Sequence, residues 1–194
     1  MTIATRWLTW VAVGGLCALT SGCISRLAKY DVAVRVDEAM ADEKGNLPSI
    51  EVHLLGLTQP EAQAMERRSM TVYWDPNRRQ DSWDRAVMFF GGQKEPRQYL
   101  GVRDPIWARW SRGGAERLVV LADLPGVFQD RDSAEDPRRL TIPIERTRLW
   151  FRPRHHLEVR IDRTGLIYEP LAGQRFISDR DEQLLRQGYE EVKR

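Results

Sequence analysis

The chain has 194 residues, with 30 Lys and Arg against 28 Asp and Glu, three His and two Cys. That near-balance leaves no dominant basic face for a polyanion, which argues against nucleic acid as a partner. Two cysteines cannot build a disulfide framework, and the length suits one core of ordinary size behind a leader.

Arg6 is the single charged side chain ahead of an apolar stretch, Trp7 to Leu19, that closes on Thr20-Ser21-Gly22-Cys23. A spanning helix needs roughly 20 apolar residues, so a run this short suits a signal core better. The small Ser21 and Gly22 fit a peptidase cleft, and the segment resembles the lipobox of bacterial lipoproteins, although Thr20 stands where an aliphatic residue is usual. An uncleaved anchor helix running through Ile24 is the alternative, and Gly14-Gly15 weakens it. The resemblance implies removal of residues 1–22 and acylation of Cys23, with the membrane bound through that lipid. In the lipoprotein class an Asp after the cysteine signals inner-membrane retention. Ile24 stands there instead, which points to an outer-membrane anchor with the domain facing the periplasm.

Residues 23–30 form a lipidated tether of roughly 25 Å when extended. Residues 31–170 carry the folded domain. Period-two alternation marks Val32/Val34/Val36, Ile50/Val52/Leu54, Leu140/Ile142/Ile144 and Leu157/Val159/Ile161 as half-buried strands. Leu118 to Ala122 is apolar on both faces and predicts a central strand. Pro143, lacking a donor, places its strand at an edge or bulge. Met70–Trp74, Ala86–Phe90 and Gly165–Tyr168 read as weaker strands. Thr58-Gln-Pro-Glu61 is a capping-box pattern that predicts a helix over 60–68, and Asp104-Pro105 begins a second over 106–111 that ends at Gly113-Gly114. Gly91–Arg97 and Asp130–Asp136 read as exposed loops. Residues 171–194 form a charged tail. The fold class is mainly β: an antiparallel β-sandwich with two short helices and that tail.

No motif for catalysis is found, and the chain reads as a non-enzyme. No phosphate loop, Gly-x-Ser-x-Gly elbow or His-Glu-x-x-His helix occurs. His53 falls on the polar face of a strand and reads as a surface residue. His155 and His156 are adjacent on a strand and point to opposite faces, so they cannot chelate one ion. The acidic run 130–136 lacks a calcium loop's turn glycine and full ligand series. No metal and no cofactor is expected. Arginine dominates the bases, and Arg138, Arg139, Arg146, Arg148, Arg152 and Arg154 read as a solvated or cross-strand-paired face, with a lipid-headgroup site as the alternative. Trp107 and Trp110, three apart, share a helical face. That face either caps an open end of the core or offers a partner-binding patch.

Leu47-Pro-Ser-Ile-Glu-Val-His-Leu-Leu55, Tyr99-Leu-Gly-Val102 and Arg138-Arg139-Leu140, behind a lipobox and a short tether, are similar to the outer-membrane lipoprotein of type VI secretion systems. The resemblance implies a transthyretin-like sandwich, no catalytic site and a role as a structural adaptor with an envelope protein as partner. It also implies a partner-contacting loop between early strands, positioned here at residues 38–46. Glu38, Asp42, Glu43 and Lys44 are its candidate contacts, beside Trp107 and Trp110. The alternative function is a periplasm-facing lipoprotein that carries a small apolar ligand or lipid in a tryptophan-lined cavity.

Overall fold

The computed structural model describes residues 26–75, 83–126, 128, 136–147 and 154–169. The leader, Cys23, Arg148, Trp150, Arg152, most of the acidic run and the tail from 171 lie outside the described residues. Ten strands lie among the described residues: β1 (Arg26–Leu27), β2 (Lys29–Val36), β3 (Leu47–Leu57), β4 (Arg85–Gly92), β5 (Arg97–Leu100), β6 (Arg117–Ala122), β7 (Arg139–Pro143), β8 (Arg146–Thr147), β9 (Arg154–Asp162) and β10 (Gly165–Glu169). Three short helices accompany them: α1 (Gln59–Glu66), α2 (Met70–Tyr73) and α3 (Ile106–Arg112). Among the described residues, strand structure is already present at Arg26–Leu27, ahead of the strand expected near Tyr30.

Two four-stranded sheets, ordered β10-β9-β2-β5 and β4-β3-β6-β7, face each other, with a small β1-β8 pair beside them. All pairings are antiparallel except β2 with β9, which run parallel through eight matched residues from Lys29/Arg154 to Val36/Ile161. The alternation explains the stacking. Val32, Val34, Val36, Leu157, Val159 and Ile161 meet Ile50, Val52, Leu54, Leu118, Val120 and Ile142 in one buried cluster. Their polar neighbours point out of the first sheet, where Arg35, Arg97 and Arg160 stand against Glu158, Glu169, Asp37 and Asp162.

The second sheet is covered on its outer face too. Leu55, Leu57, Val119 and Leu121 pack under Ala62, Met65 and Met70 of α1 and α2. Strand β6 is therefore buried on both sides, as its unbroken apolar run demands. Met70–Trp74, expected as a weak strand, instead forms a one-turn helix over Met70–Tyr73 that Trp74 closes. The Ser69 hydroxyl caps its start by accepting from Val72 N–H, and Met70 gains burial only by turning inward. At the start of α1, the Glu61 carboxylate accepts from both the backbone N–H and the hydroxyl of Thr58, at 2.9 and 2.7 Å. Edge strand β7 carries Pro143, and Leu166 N–H donates to Pro137 C=O at 2.8 Å, zipping β7 to β10 along one side of the sandwich. On the other side, β4 and β5 are bridged by the Gln98 side chain donating to Phe89 C=O at 2.6 Å.

One end of the sandwich is closed by aromatic rings. Trp110 packs edge-on to Trp107 with centroids 4.9 Å apart, Trp107 stacks on Tyr30 at 5.7 Å, and Tyr30 stacks on His155 at 5.0 Å. Both indole N–H groups and the tyrosine oxygen find partners. Trp107 and Trp110 donate to Gly101 C=O and Asp84 C=O, and the Tyr30 oxygen accepts from Glu145 N–H. Gly56, inside β3, leaves the space in which Trp110 lies, because a Cβ there would overlap the indole. Gly56→Ala should therefore cost about 1–3 kcal/mol by overpacking, and Trp110→Ala about 3–5 kcal/mol by cavity formation. Denaturant midpoints should show the double variant costing less than the two singles together, since removing the ring frees the space that the methyl needs.

Candidate functional site

The two ends of the sandwich differ. The chain enters at the end where β2, β4, β6 and β9 begin and where α3 sits, with Leu27 N–H donating to Ser111 Oγ. The opposite, distal end holds the connection from β2 to β3, which includes the candidate loop. A single turn of 3-10 helix, Glu38–Met40, opens it. Asp37 caps that turn by accepting from Ala39 N–H at 2.9 Å and also holds Arg160 Nη1 at 3.0 Å. Asp42 then closes a tight turn. Its carboxylate accepts from Lys44 N–H, Asn46 N–H and Asn46 Nδ2 at 2.8 to 3.0 Å, and Gly45 supplies the left-handed residue at φ 77°. Arg163 Nη2 donates to Ala39 C=O at 2.7 Å from the β9–β10 turn.

This loop is a pinned structure with a fixed negative bias. Asp37 lies below the ordinary carboxylate value because Ala39 N–H and Arg160 bond to its charged form. Asn46 does the same for Asp42, and Thr164 for Asp162. Of the four loop candidates, Asp42 is committed to the turn, whereas Glu38, Glu43 and Lys44 extend from it, exposed. Beside the loop lies a pocket of about 190 Å3, lined by Met40, Pro48, Leu124, Pro125 and Phe128 with Asp162 and Arg163 at its rim. Phe128 rests 5.9 Å below the Arg138 guanidinium, which is itself held in a two-pronged bond to buried Asp136 at 2.8 and 3.0 Å. Nothing in the alternation pointed to this pocket. Its only trace in the sequence is the apolar Leu124-Pro125 and Phe128 persisting after the central strand ends.

Other candidates are placed differently from expectation. Trp107 and Trp110 are 8% and 2% exposed and belong to the core, so the core-capping alternative describes their position. His53 is 4% exposed rather than a surface residue, because α2 folds over it. Arg138 and Arg139 are buried rather than solvated: Arg138 pairs with Asp136, and Arg139 Nη1 donates to Met65 C=O and Arg68 C=O. Arg146 likewise donates to Ser111 C=O and Ala115 C=O. These arginines tie segments together one by one and do not form a common face. Asp136, read as exposed, is buried with Arg138. The alternation missed an exposed apolar set on the paired edges, Val87 and Phe89 of β4 and Tyr99 of β5, with Phe89 at 52% and Tyr99 at 63% exposure. A trough of about 350 Å3 runs along β7, lined by Glu66, Arg117, Arg139, Leu140, Thr141 and Pro143. Among the described residues, no group of three or more His, Cys, Asp or Glu side chains is placed to hold an ion.

His53 gives the fold a pH dependence. Its Nδ1 lies 2.7 Å from the Tyr73 hydroxyl, its Nε2 2.7 Å from the Glu51 carboxylate, and the Trp74 ring 4.7 Å away. Burial holds the imidazole below its ordinary value of 6.5, against the opposing pull of the Glu51 hydrogen bond. The unfolded chain then takes up the proton first, so the His53 contribution is complete above about pH 6.5 and falls as pH drops toward the folded value. Stability measured by denaturant should decline as pH falls below about 7, and His53→Gln should flatten that slope. An unchanged slope in the variant refutes the assignment.

No protein-family model matches the chain, and no curated protein matches it. Solved structures do. Lip of Serratia marcescens, described as a membrane-bound component of the type VI secretion system, superposes with a TM-score of 0.48 at 16% identity, covering 74% of this chain and 98% of that one. A structure described as the C-terminal domain of the type VI secretion protein TssM from EAEC gives 0.46 at 11% identity, covering 73% and 98%. The type VI secretion lipoprotein TssJ1 of Pseudomonas aeruginosa gives 0.42 at 12% identity, covering 74% and 98%.

Proposed function

We propose that the chain is a lipid-anchored structural adaptor of the cell envelope, part of a type VI secretion membrane complex. It is held in the outer membrane through Cys23 and faces the periplasm. The observation that carries this reading is the polarity of the fold. Strand β1 begins at Arg26, three residues after Cys23, at one end of the sandwich, and the pinned acidic loop with its apolar pocket occupies the other. An adaptor needs one end committed to the bilayer and the other presented to a protein. In this reading the partner inserts one apolar side chain among Met40, Leu124 and Phe128 and sets basic groups against Glu38 and Glu43. The pocket's volume of about 190 Å3 fits a side chain. Trp107 and Trp110 are packed against Tyr30 and Gly56 and line no cavity of this kind.

Two measurements test the two halves separately. Cys23→Ser should abolish incorporation of labelled palmitate and leave a larger precursor; continued labelling overturns the anchor assignment. Glu38→Lys with Glu43→Lys and Met40→Ser should remove one partner from crosslinked native envelopes while the β circular dichroism persists. The missing protein should be a component of the secretion complex. An unchanged set of captured proteins in a folded variant would defeat the distal-end assignment.

A further inference from the structure

The edges of the two sheets are guarded unequally. Edges β7 and β10 are joined by the hydrogen bond from Leu166 N–H to Pro137 C=O, and β7 also carries Pro143. Edge β4 has neither device. Its register with β3 is regular from Arg85 to Phe90, and the next strand fixes which way its backbone groups point. Glu51 turns its C=O away from β4, accepting from Asp123 N–H at 2.8 Å beside β6. The alternate residues Ile50, Val52 and Leu54 therefore bond to Phe90, Met88 and Ala86. Val87 and Phe89 are left directing their backbone groups off the sheet. Phe89 C=O accepts from the Gln98 side chain at 2.6 Å, while both N–H groups and Val87 C=O have no partner among the described residues. The side chains of Val87 and Phe89 are exposed as well. A free edge beside exposed apolar side chains is a template for a further strand.

Charges on the outer face of the second sheet give this template a polarity. Arg85 shares the face with Val87 and Phe89, and its charge acts on His53. Glu51 is the β3 neighbour of Phe89, and Asp123 lies beside Glu51 just past β6. Arg138, the base near Asp123, is buried in its bonds to Asp136. Base thus stands at the entry half of the edge and acid at the distal half. Lys94 and Glu95, exposed in the β4–β5 turn beyond, are of opposite sign and add no bias.

We propose that β4 receives an extended segment of a protein partner as an antiparallel fifth strand, whose order is base, any residue, β-branched apolar residue, any residue, acid. The basic side chain stands opposite Phe89, crossing its ring toward Glu51, and the acid stands opposite Arg85. The apolar residue lies opposite Val87 and exchanges two backbone hydrogen bonds with it, and Phe89 N–H donates to the C=O of the basic residue. This surface is on the side of the sandwich, so it is separate from the distal loop and pocket. A second copy is the poorer match: its β4, run antiparallel about Val87, sets Phe89 and no acid opposite Arg85.

The test uses the full chain in detergent, isotope-labelled for NMR, with two peptides of one composition, Thr-Arg-Thr-Ile-Thr-Glu-Thr and Thr-Glu-Thr-Ile-Thr-Arg-Thr. In the free chain the amides of Val87 and Phe89 should exchange with solvent faster than those of Met88 and Phe90. The first peptide should slow exchange at Val87 and Phe89 and bind about tenfold more tightly than the second, whose charges meet like charges. N-methylation of its isoleucine should abolish binding, an arm that leaves the protein untouched. Glu51→Gln, which keeps an acceptor for His53, should narrow the preference between the peptides. Equal affinity for both, no binding of the first at millimolar concentration, or binding that leaves Val87 and Phe89 exchange unchanged overturns the proposal. A chain already dimeric without peptide, with its Val87 amide protected, gives the edge to a second copy and overturns the proposed occupant.

Discussion

The entry end of this fold depends on an indole lying against bare backbone. Trp110 occupies the space that Gly56 leaves open, and Trp107, Tyr30 and His155 continue the ring contacts from the second sheet to the first. Sheets packed face to face leave their ends open to water, and most proteins cover them with loops. Here a helix of seven residues does so, because three of its side chains are large and apolar and each indole N–H finds a carbonyl. The position of β1 follows from this plug, since its backbone bonds to Ser111 on the same helix. Chain entry, helix placement and core closure are one packing problem with one solution.

At the far end the order comes from polar groups. Asp42, Asp37 and Asp136 each take several hydrogen bonds from their surroundings. A loop held in this way presents its exposed charges with little entropy left to lose on binding. The neighbouring pocket is formed by residues from three connections, so it exists only when these turns are in place. The contrast between ends is physical: rings buried without solvent at one, charged hydrogen bonds at the rim at the other.

The strands were legible because their physics is local. Val32, Val34 and Val36, or Leu157, Val159 and Ile161, announce a face by spacing alone, and Pro143 announces an edge by its missing donor. What required the fold was any residue whose environment comes from distant chain. His53 alternates as a polar-face residue should, and only α2, arriving from about twenty positions later, covers it. Met70 to Tyr73 carries β-favouring residues, yet tertiary burial of Met70 and the Ser69 cap override that preference. Arg138 and Arg139 look solvated in sequence because their partners, Asp136 and the carbonyls of Met65 and Arg68, are assembled by folding. The parallel pairing of β2 with β9 left no mark in the alternation, since one face is buried in either direction. Of the candidate site, the loop was placed by position between strands, and the pocket beside it was not.

Strand β2 joins the entry end directly to the distal loop, and it lies between two neighbours, β9 and β5. A pull applied between Arg26 and the loop runs along the strand axis. Its cross-strand hydrogen bonds are then strained together in shear, as a row, and none can open ahead of the rest. Had β2 been an outer strand pulled sideways, the bonds would have opened one at a time under a small force. The eight matched positions with β9 and four with β5 share the load. The same placement that builds the core thus makes the sandwich stiff along the line between its two ends, while the zipped β7–β10 side and the β4–β5 side lie off that line and bear little of the tension.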